Sequence, residues 1–428
     1  MRTLLLLLLL AAAPIALLAQ PNQPTTDSIT TRQNPPAPDP SFALFAHIQD
    51  SLFVQAYNQK NVPRYLQLMT EFNTRFNQLS PVDKKNYINY SSSAWYNLAC
   101  TYGLLHRNTE ALDALEKAVA AGYNNYSHTL VDTDLKDIRD SQRFRQIVMP
   151  MKETGDYMYI LGKAAVYNSQ DQRPLPKFTY EPASDSSLIA LRKGLQLDSI
   201  AGGGSDLSQV LRLLHWIHDL VPHDGQHMNP TVMNAMSMIA VCRSDHRGLN
   251  CRGLAITLNE CYLALGFRSR FVTCLPKDSL HTDPDCHVIN IVYVNSLKKW
   301  VWIDPTNDAY VMNEKGELLN IAEVRQRLIL HQPLIVNPDA NWNHKSSVVK
   351  EDYLYNYMAK NLYMLECPVT SGYDFETRGP NKSFAYIKLL PLDYFNQGHD
   401  KEESDRPLNS KYINYHTNNA AKFWEKPQ

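Results

Sequence analysis

A cysteine, a histidine and an aspartate occur in this chain in an order that thiol chemistry can use. Asn250-Cys251-Arg252-Gly253-Leu254-Ala255 opens an apolar run, Cys286-His287-Val288-Ile289-Asn290 follows a polar stretch, and Trp300-Val301-Trp302-Ile303-Asp304-Pro305-Thr306 comes last. A thiolate attacks an acyl carbon, an imidazole carries the proton, and a carboxylate holds the imidazole's tautomer and direction. Cys251, His287 and Asp304 are therefore the candidate nucleophile, general base and orienting group.

Their use depends on the elements that carry them. Leu254, Leu258, Cys261, Tyr262 and Leu265 continue a helix from Cys251 until Gly266 ends it. A cysteine at a helix N-terminus feels the positive end of the backbone dipoles, and a nearby His287 adds a second influence that favours thiolate. Cys261, well inside that helix, reads as core. Phe267 to Cys274 is expected as a strand, Pro276 to Asp285 as a polar loop, and His287 to Val294 and Lys299 to Ile303 as strands joined by a turn. Adjacent antiparallel strands can bring His287 and Asp304 side by side. The Cys251 backbone N–H at the helix start is the first candidate oxyanion donor, with Asn250 the second. Asp245 and His246 are candidates only for positioning the loop before it.

These three motifs, with the Ala264-Leu265-Gly266-Phe267-Arg268-Ser269-Arg270 helix end between them, resemble the transglutaminase-like (papain-like cysteine) superfamily over residues 188 to 320. The resemblance implies an α+β fold, with a papain-like/transglutaminase-like core whose catalytic helix packs on an antiparallel sheet. It gives Cys251, His287 and Asp304 the nucleophile, base and orienting roles. Asn250 departs from the Gly or other small residue that often precedes the family's cysteine.

Around this core other residues invite a role. Pro222-His223-Asp224-Gly225-Gln226-His227 follows the amphipathic helix Leu207 to Val221, and His215, His218, His223 and His227 read as groove or surface histidines, since no His-Glu-x-x-His arrangement holds them. Five cysteines fall within 45 residues without a Cys-x2-Cys knuckle, so no metal and no cofactor is expected. His223, Trp302, Tyr355 and Tyr357 are candidate substrate contacts, the last two from a tyrosine-rich stretch between Tyr353 and Tyr363 that otherwise packs on the core. Ile321 to Leu330 is expected as a helix with Arg325 and Arg327 on its surface, and Phe384 to Leu390 as a strand, with the tail beyond it completing a sheet edge.

The N-terminal part differs in kind. Trp95, Tyr96, Leu98, Ala99, Tyr102, Ala111, Leu115 and Ala118 fit the helix-turn-helix pattern of a tetratricopeptide repeat, in which small Ala99 and Ala111 let two helices approach. One clear repeat suits a helical cap or a protein-docking surface. Before it, Arg2 and an apolar run to Ala19 read as a cleaved export signal, and six prolines between Pro21 and Pro40 as a tether. The organisation expected is thus a signal peptide at 1–20, a linker at 21–42, an all-α helical-repeat unit at 43–150, a connection at 151–187, the core at 188–335 and an extension completing or covering it at 336–428.

A net charge of -1 without a long basic block excludes nucleic acid as a partner, and no stable membrane span is expected after cleavage. The combined expectation is an exported, soluble periplasmic or extracellular enzyme that hydrolyses an amide bond in a peptide or protein through a thioester. Its partners would be a peptide or protein substrate, including a cell-envelope peptide or glycan, and a protein met by the helical unit. Three alternatives remain: a catalytically silent module binding peptide or glycan, a cross-linking transglutaminase, and an assembly protein docking through its helices.

Overall fold

The computed structural model describes residues 40–164, 166–277, 286–392 and 400–427, and its fold is mixed α+β, with a helical N-terminal region and a central sheet. The expected leader and nearly all of the proline-rich linker lie outside the described residues. So does most of the loop expected before His287.

One compact unit, through Ile160, is helical. Its first four helices are Pro40–Asn58, Val62–Phe76, Pro81–Leu104 and Asn108–Ala120. Asn61 and Ser80 cap the second and third by accepting backbone N–H groups three residues on. Ala99, Ala111 and Ala118 are fully buried where the third and fourth helices meet, with Leu98 and Leu115 around them. Trp95 is only half-buried and carries Lys117 over its ring, 4.8 Å from the centroid. Gly103 matters by its missing side chain: a Cβ there would lie 2.2 Å from the Asp134 carbonyl oxygen, so the turn Thr133–Leu135 can pass directly over the helix.

The second unit is built on a seven-stranded sheet. Its strands in chain order are β1 Ser269–Leu275, β2 His287–Val294, β3 Lys299–Ile303, β4 Met364–Pro368, β5 Ser383–Leu389, β6 Lys401–Arg406 and β7 Ser410–Thr417, arranged β6-β7-β5-β4-β1-β2-β3. Every neighbouring pair is antiparallel except β5 and β7, which run parallel, so the purely antiparallel sheet expected is corrected to a mixed one. That parallel pair arises because β6, between β5 and β7 in sequence, pairs on the outer side of β7.

All eight residues of β2 are buried, as an apolar run covered on both faces requires. Over it lies the helix Cys251–Ala264, in which every residue from Gly253 onward is buried. It is wrapped by Ser186–Gly194, Asp206–Leu220 and Ala235–Asp245. Such enclosure suits a helix that is apolar nearly all round. Polar contacts pin it to its surroundings. Asn290 on β2 donates to the Ala255 carbonyl at 2.9 Å, and Glu260 accepts the backbone N–H groups of Ala235 at 2.7 Å and Asp374 at 2.8 Å.

One local expectation differs from the structure. Arg325, expected on the surface of its helix, is buried and donates to the Leu362 carbonyl at 2.9 Å. The tyrosine-rich stretch forms a π-helix, Glu351–Met358, whose wider turn puts Tyr353 and Leu354 inside. Among the described residues no helix is long and apolar enough to cross a membrane.

Candidate active site

Cys251 is the first residue of its helix. Asn250 caps that helix through its side-chain oxygen, which accepts the Gly253 N–H at 3.1 Å. Asn229 fixes the cap from outside, accepting the Asn250 N–H at 3.1 Å and donating to the Asn250 side-chain oxygen at 2.7 Å. Asn229 lies so close across the first turn that a Cβ on Gly253 would come within 2.6 Å of its amide oxygen. Gly253 is therefore what lets this clamp close over the half-buried cysteine. The Asn250 oxygen is spent on the cap, and the Cys251 N–H, in the first turn, has no intrahelical acceptor.

Two histidines reach the thiol. His287 opens β2, and Asp304 directly follows β3. Extending the β2–β3 register by one residue sets Asp304 opposite Ile289, on the face His287 shares. The His287 Nε2 lies 2.7 Å from Asp304 Oδ2, which leaves Nδ1 for Cys251. Asp304 is wholly buried and well held: the same oxygen accepts the Tyr353 hydroxyl at 2.6 Å and the Asn307 amide at 3.0 Å, and Oδ1 accepts the Thr306 N–H at 2.9 Å.

His223 is the second. It sits in a segment clamped to the strand-like approach to Cys251: it bridges Leu249, and Leu249 donates to the Pro222 carbonyl at 3.1 Å. Asn343 holds the His223 backbone on both sides, accepting its N–H at 2.7 Å and donating to its carbonyl at 2.9 Å. The Trp342 indole, which can only donate, points at His223 Nδ1 from 3.3 Å. That contact leaves Nε2–H to donate to the Cys251 sulfur.

The electrostatics follow from these contacts. Burial pushes the Cys251 thiol up, but the hydrogen bonds of His223 and His287 and the charge of His287 outweigh it and bring the pKa down to about 6. Burial opposes a proton on His287, yet the Asp304 charge and hydrogen bond, with Cys251 on the other side, raise it to about 10. Burial likewise works against the Asp304 carboxylate, and His287, Tyr353 and Asn307 hold it below its usual range. The other buried thiols go the opposite way. Cys261 and Cys274 are pushed up by burial, and Cys367 is pushed up to about 12.

The remaining expected contacts divide. Tyr357 turns its ring edge to His287 at 5.3 Å between centroids and donates to the Cys286 carbonyl at 3.4 Å. Tyr355 is half-buried with Lys350 over its ring at 5.8 Å, half a turn from both Tyr353, which meets Asp304, and Tyr357, which meets His287. Trp302 is corrected: it is fully buried and donates to the Tyr353 hydroxyl at 3.2 Å, so it supports Asp304 from below and cannot meet a substrate. Tyr353, Asn307, Asn229 and Trp342 were not singled out for the site by sequence reasoning. Only Tyr353 left a signal, as part of the tyrosine-rich stretch.

Among the described residues two groups gather three ligand-type side chains, Cys100 with Asp132 and Asp134, and His215 with Asp308 and Asp339. In the first, burial keeps Cys100 a thiol, and Asp132 accepts the Tyr96 hydroxyl at 2.6 Å. In the second, His215 Nδ1 lies 2.7 and 2.8 Å from the two Asp308 oxygens, the spacing of a hydrogen-bonded pair. Neither includes Cys251, His287 or Asp304.

No family model matches the chain. It is similar to a chloroplastic protein of Arabidopsis thaliana, with 34% identity over 64 residues. Those residues are 15% of this chain and 19% of that protein, so the chain spans under a fifth of the relative's length. Among solved structures it is similar to one described as "a Putative Cysteine Protease from Cytophaga hutchinsonii", at 17% identity and a TM-score of 0.22, covering 33% of this chain and 49% of that one. A superposition at that score carries no weight for fold or chemistry.

Proposed function

We propose that this chain is an exported, cysteine-dependent acyl-transfer enzyme that hydrolyses an amide bond in a peptide or protein. The observation that carries the reading is the placement of Cys251 at a helix N-terminus, in contact with a His287 that a buried Asp304 holds from behind. The transglutaminase-like resemblance of the three motifs supports the same roles.

In the reaction the Cys251 thiolate adds to the amide carbonyl, and the electron pair moves onto oxygen. The Cys251 N–H and the His223 Nε2–H, held toward the sulfur by Trp342, are the donors for that developing charge. His287 gives its Nδ1 proton to the leaving nitrogen as the carbon–nitrogen bond breaks, and the acyl group remains on sulfur as a thioester. His287, now neutral, takes a proton from water. The hydroxide so formed attacks the thioester, releasing the acid and the thiolate and restoring the ion pair. An amine in place of water would give transfer. Hydrolysis is preferred because the sequence shows no calcium loop or other control of a cross-linking enzyme.

Labelling of Cys251 by a thiol alkylator, followed by mass spectrometry across pH in the intact chain and in His287→Ala, tests the reading. Fast labelling at neutral pH that depends on His287 is the expected result. Labelling as slow as an ordinary thiol, indifferent to His287, would sink it and leave a silent peptide- or glycan-binding module.

A further inference from the structure

His223 faces two ways. One side meets the Cys251 sulfur, and the other forms part of the wall of a cavity of about 670 Å³. That volume lies within the range of small-ligand sites. Val221 and Ile239 are buried at its lining and give it an apolar floor, while Trp342, 39% exposed, supplies an aromatic wall.

Charge distinguishes this cavity from the rest of the molecule. Arg243, Arg247 and Lys345 line it against a single acid, Asp224, in a chain whose net charge is -1. That acid is already occupied, with an oxygen 2.5 Å from His227 Nδ1. Among the described residues no ion pair holds any of the three cations. Arg247 donates only to the Gly248 and Met228 carbonyls, and Lys345 lies over the Trp342 ring at 5.6 Å. Arg243 stands in the last turn of Ala235–Asp245, where the helix dipole already favours a cation. Three cations converging on one apolar-floored hollow leave an excess of positive potential that a bound anion would neutralise.

We infer that this cavity binds a carboxylate of the peptide substrate, borne on a short aliphatic arm that lies on the apolar floor while its charge meets Arg243, Arg247 and Lys345. The peptide as occupant rests on the acyl-transfer reading of Cys251. The carboxylate has two sources, an acidic side chain or a free C-terminus.

Binding is measured by calorimetry on the full chain carrying Cys251→Ala, which cannot turn the probes over. The probes are acetyl-Ala-Glu-Ala-amide, acetyl-Ala-Gln-Ala with a free C-terminus, and the neutral acetyl-Ala-Gln-Ala-amide. At least one carboxylated peptide is expected to bind about tenfold more tightly than the neutral one, and whichever does so identifies the source. The preference should shrink about tenfold in Arg243→Glu/Lys345→Glu and when salt rises from about 0.05 to about 0.5 M. The salt arm needs no further substitution, so it reads the same contact without risk to the fold. Equal affinity for all three probes, or a preference that survives both charge reversal and salt, overturns the inference. A chain without its thiol reads the cavity alone, so failure here leaves the reading of Cys251 standing, and slow labelling of Cys251 leaves the cavity's charge preference intact.

Discussion

At the residue scale the consequence of the Cys251–His287–Asp304 contacts is a pH window. The Cys251 pKa is depressed to about 6 and that of His287 raised to about 10, so thiolate and imidazolium coexist between those values. Thiolate is present above the depressed pKa and lost as pH falls through it. Alkylation of Cys251 should therefore rise with a midpoint near pH 6, and hydrolysis should fall again near pH 10 as His287 loses the proton it must donate. Asp304→Asn replaces a charge with a neutral amide, so the alkylation midpoint should climb toward the ordinary thiol value of about 8.5. A midpoint that stays near 6 in that variant would remove Asp304 from the orienting role. Tyr353 acts one step further back, donating to Asp304 and accepting from Trp302. Tyr353→Phe leaves a buried indole N–H without its acceptor and should cost about 1–3 kcal/mol in urea unfolding. The cysteine, histidine and aspartate were legible because each opens or closes an element with its own apolar pattern. Trp302 was misread for a physical reason: it alternates onto the face of Asp304, two residues on, and that face is covered by the Tyr353 helix. Aromatic character alone does not distinguish a substrate wall from such a support. His223 was read as a groove histidine and candidate substrate contact, and its bond to the Cys251 sulfur was not foreseen, since its partners Trp342 and Asn343 lie about 120 positions away.

At the scale of elements, the helix Cys251–Ala264 has to be held in two places for its first residue to be useful. Its start is clamped by Asn229 across Gly253, and its buried length is tied by Glu260 to the beginning of Ala235–Asp245 and to Asp374. Gly253→Ala forces the Asn229 amide away and loosens the cap. A loss of about 1–3 kcal/mol in unfolding free energy and slower Cys251 labelling at pH 7 are expected together. Labelling unchanged in a destabilised Gly253→Ala chain would mean that the clamp serves stability alone. Glu260→Ala strips acceptors from two backbone N–H groups, and the cost should be on the order of 2–5 kcal/mol, read as a lower denaturant midpoint. Both ends of this element were visible in the sequence, from the apolar run after Cys251 and from Gly266, which adopts a positive φ of 86° just beyond it. Asn229 and the ties of Glu260 were not, because they join segments far apart in the chain. A glutamate inside an apolar helix does signal that something polar must meet it, though not what.

At the scale of the whole molecule, the C-terminal residues are structural parts of the sheet that carries His287. Strands β4, β5, β6 and β7 all come from beyond residue 360, yet they continue the order from β1 outward. Of these four only β5 was given bounds as a strand, while the tail beyond it was expected to complete a sheet edge, where β6 and β7 lie. β6, with the sequence Lys-Glu-Glu-Ser-Asp-Arg, has no apolar alternation to announce it. It becomes a strand because β7 offers a full antiparallel partner, with Lys401 opposite Tyr415 and Arg406 opposite Ser410, and its charges suit an outermost edge. The tail also reaches the middle of the unit. Arg270, fully buried on β1, directs its guanidinium at the Phe423 carbonyl at 3.3 and 3.4 Å, between the rings of Phe178 at 3.8 Å and Trp300 at 4.7 Å. Removing residues 400–428 would strip that acceptor from a buried cation and expose the outer edge of β5. Leaving a buried charged donor without its acceptor costs about 3 kcal/mol, a large share of the stability of an ordinary domain. The truncated chain should therefore lose the near-ultraviolet signal of the sheet unit's tryptophans and lose fast Cys251 labelling. Replacing Arg270 by Met in the truncated chain removes the buried charge with an apolar side chain of comparable length. Partial recovery of the unfolding midpoint in that double variant would trace the loss to Arg270, whereas no recovery would place it in the missing edge strands.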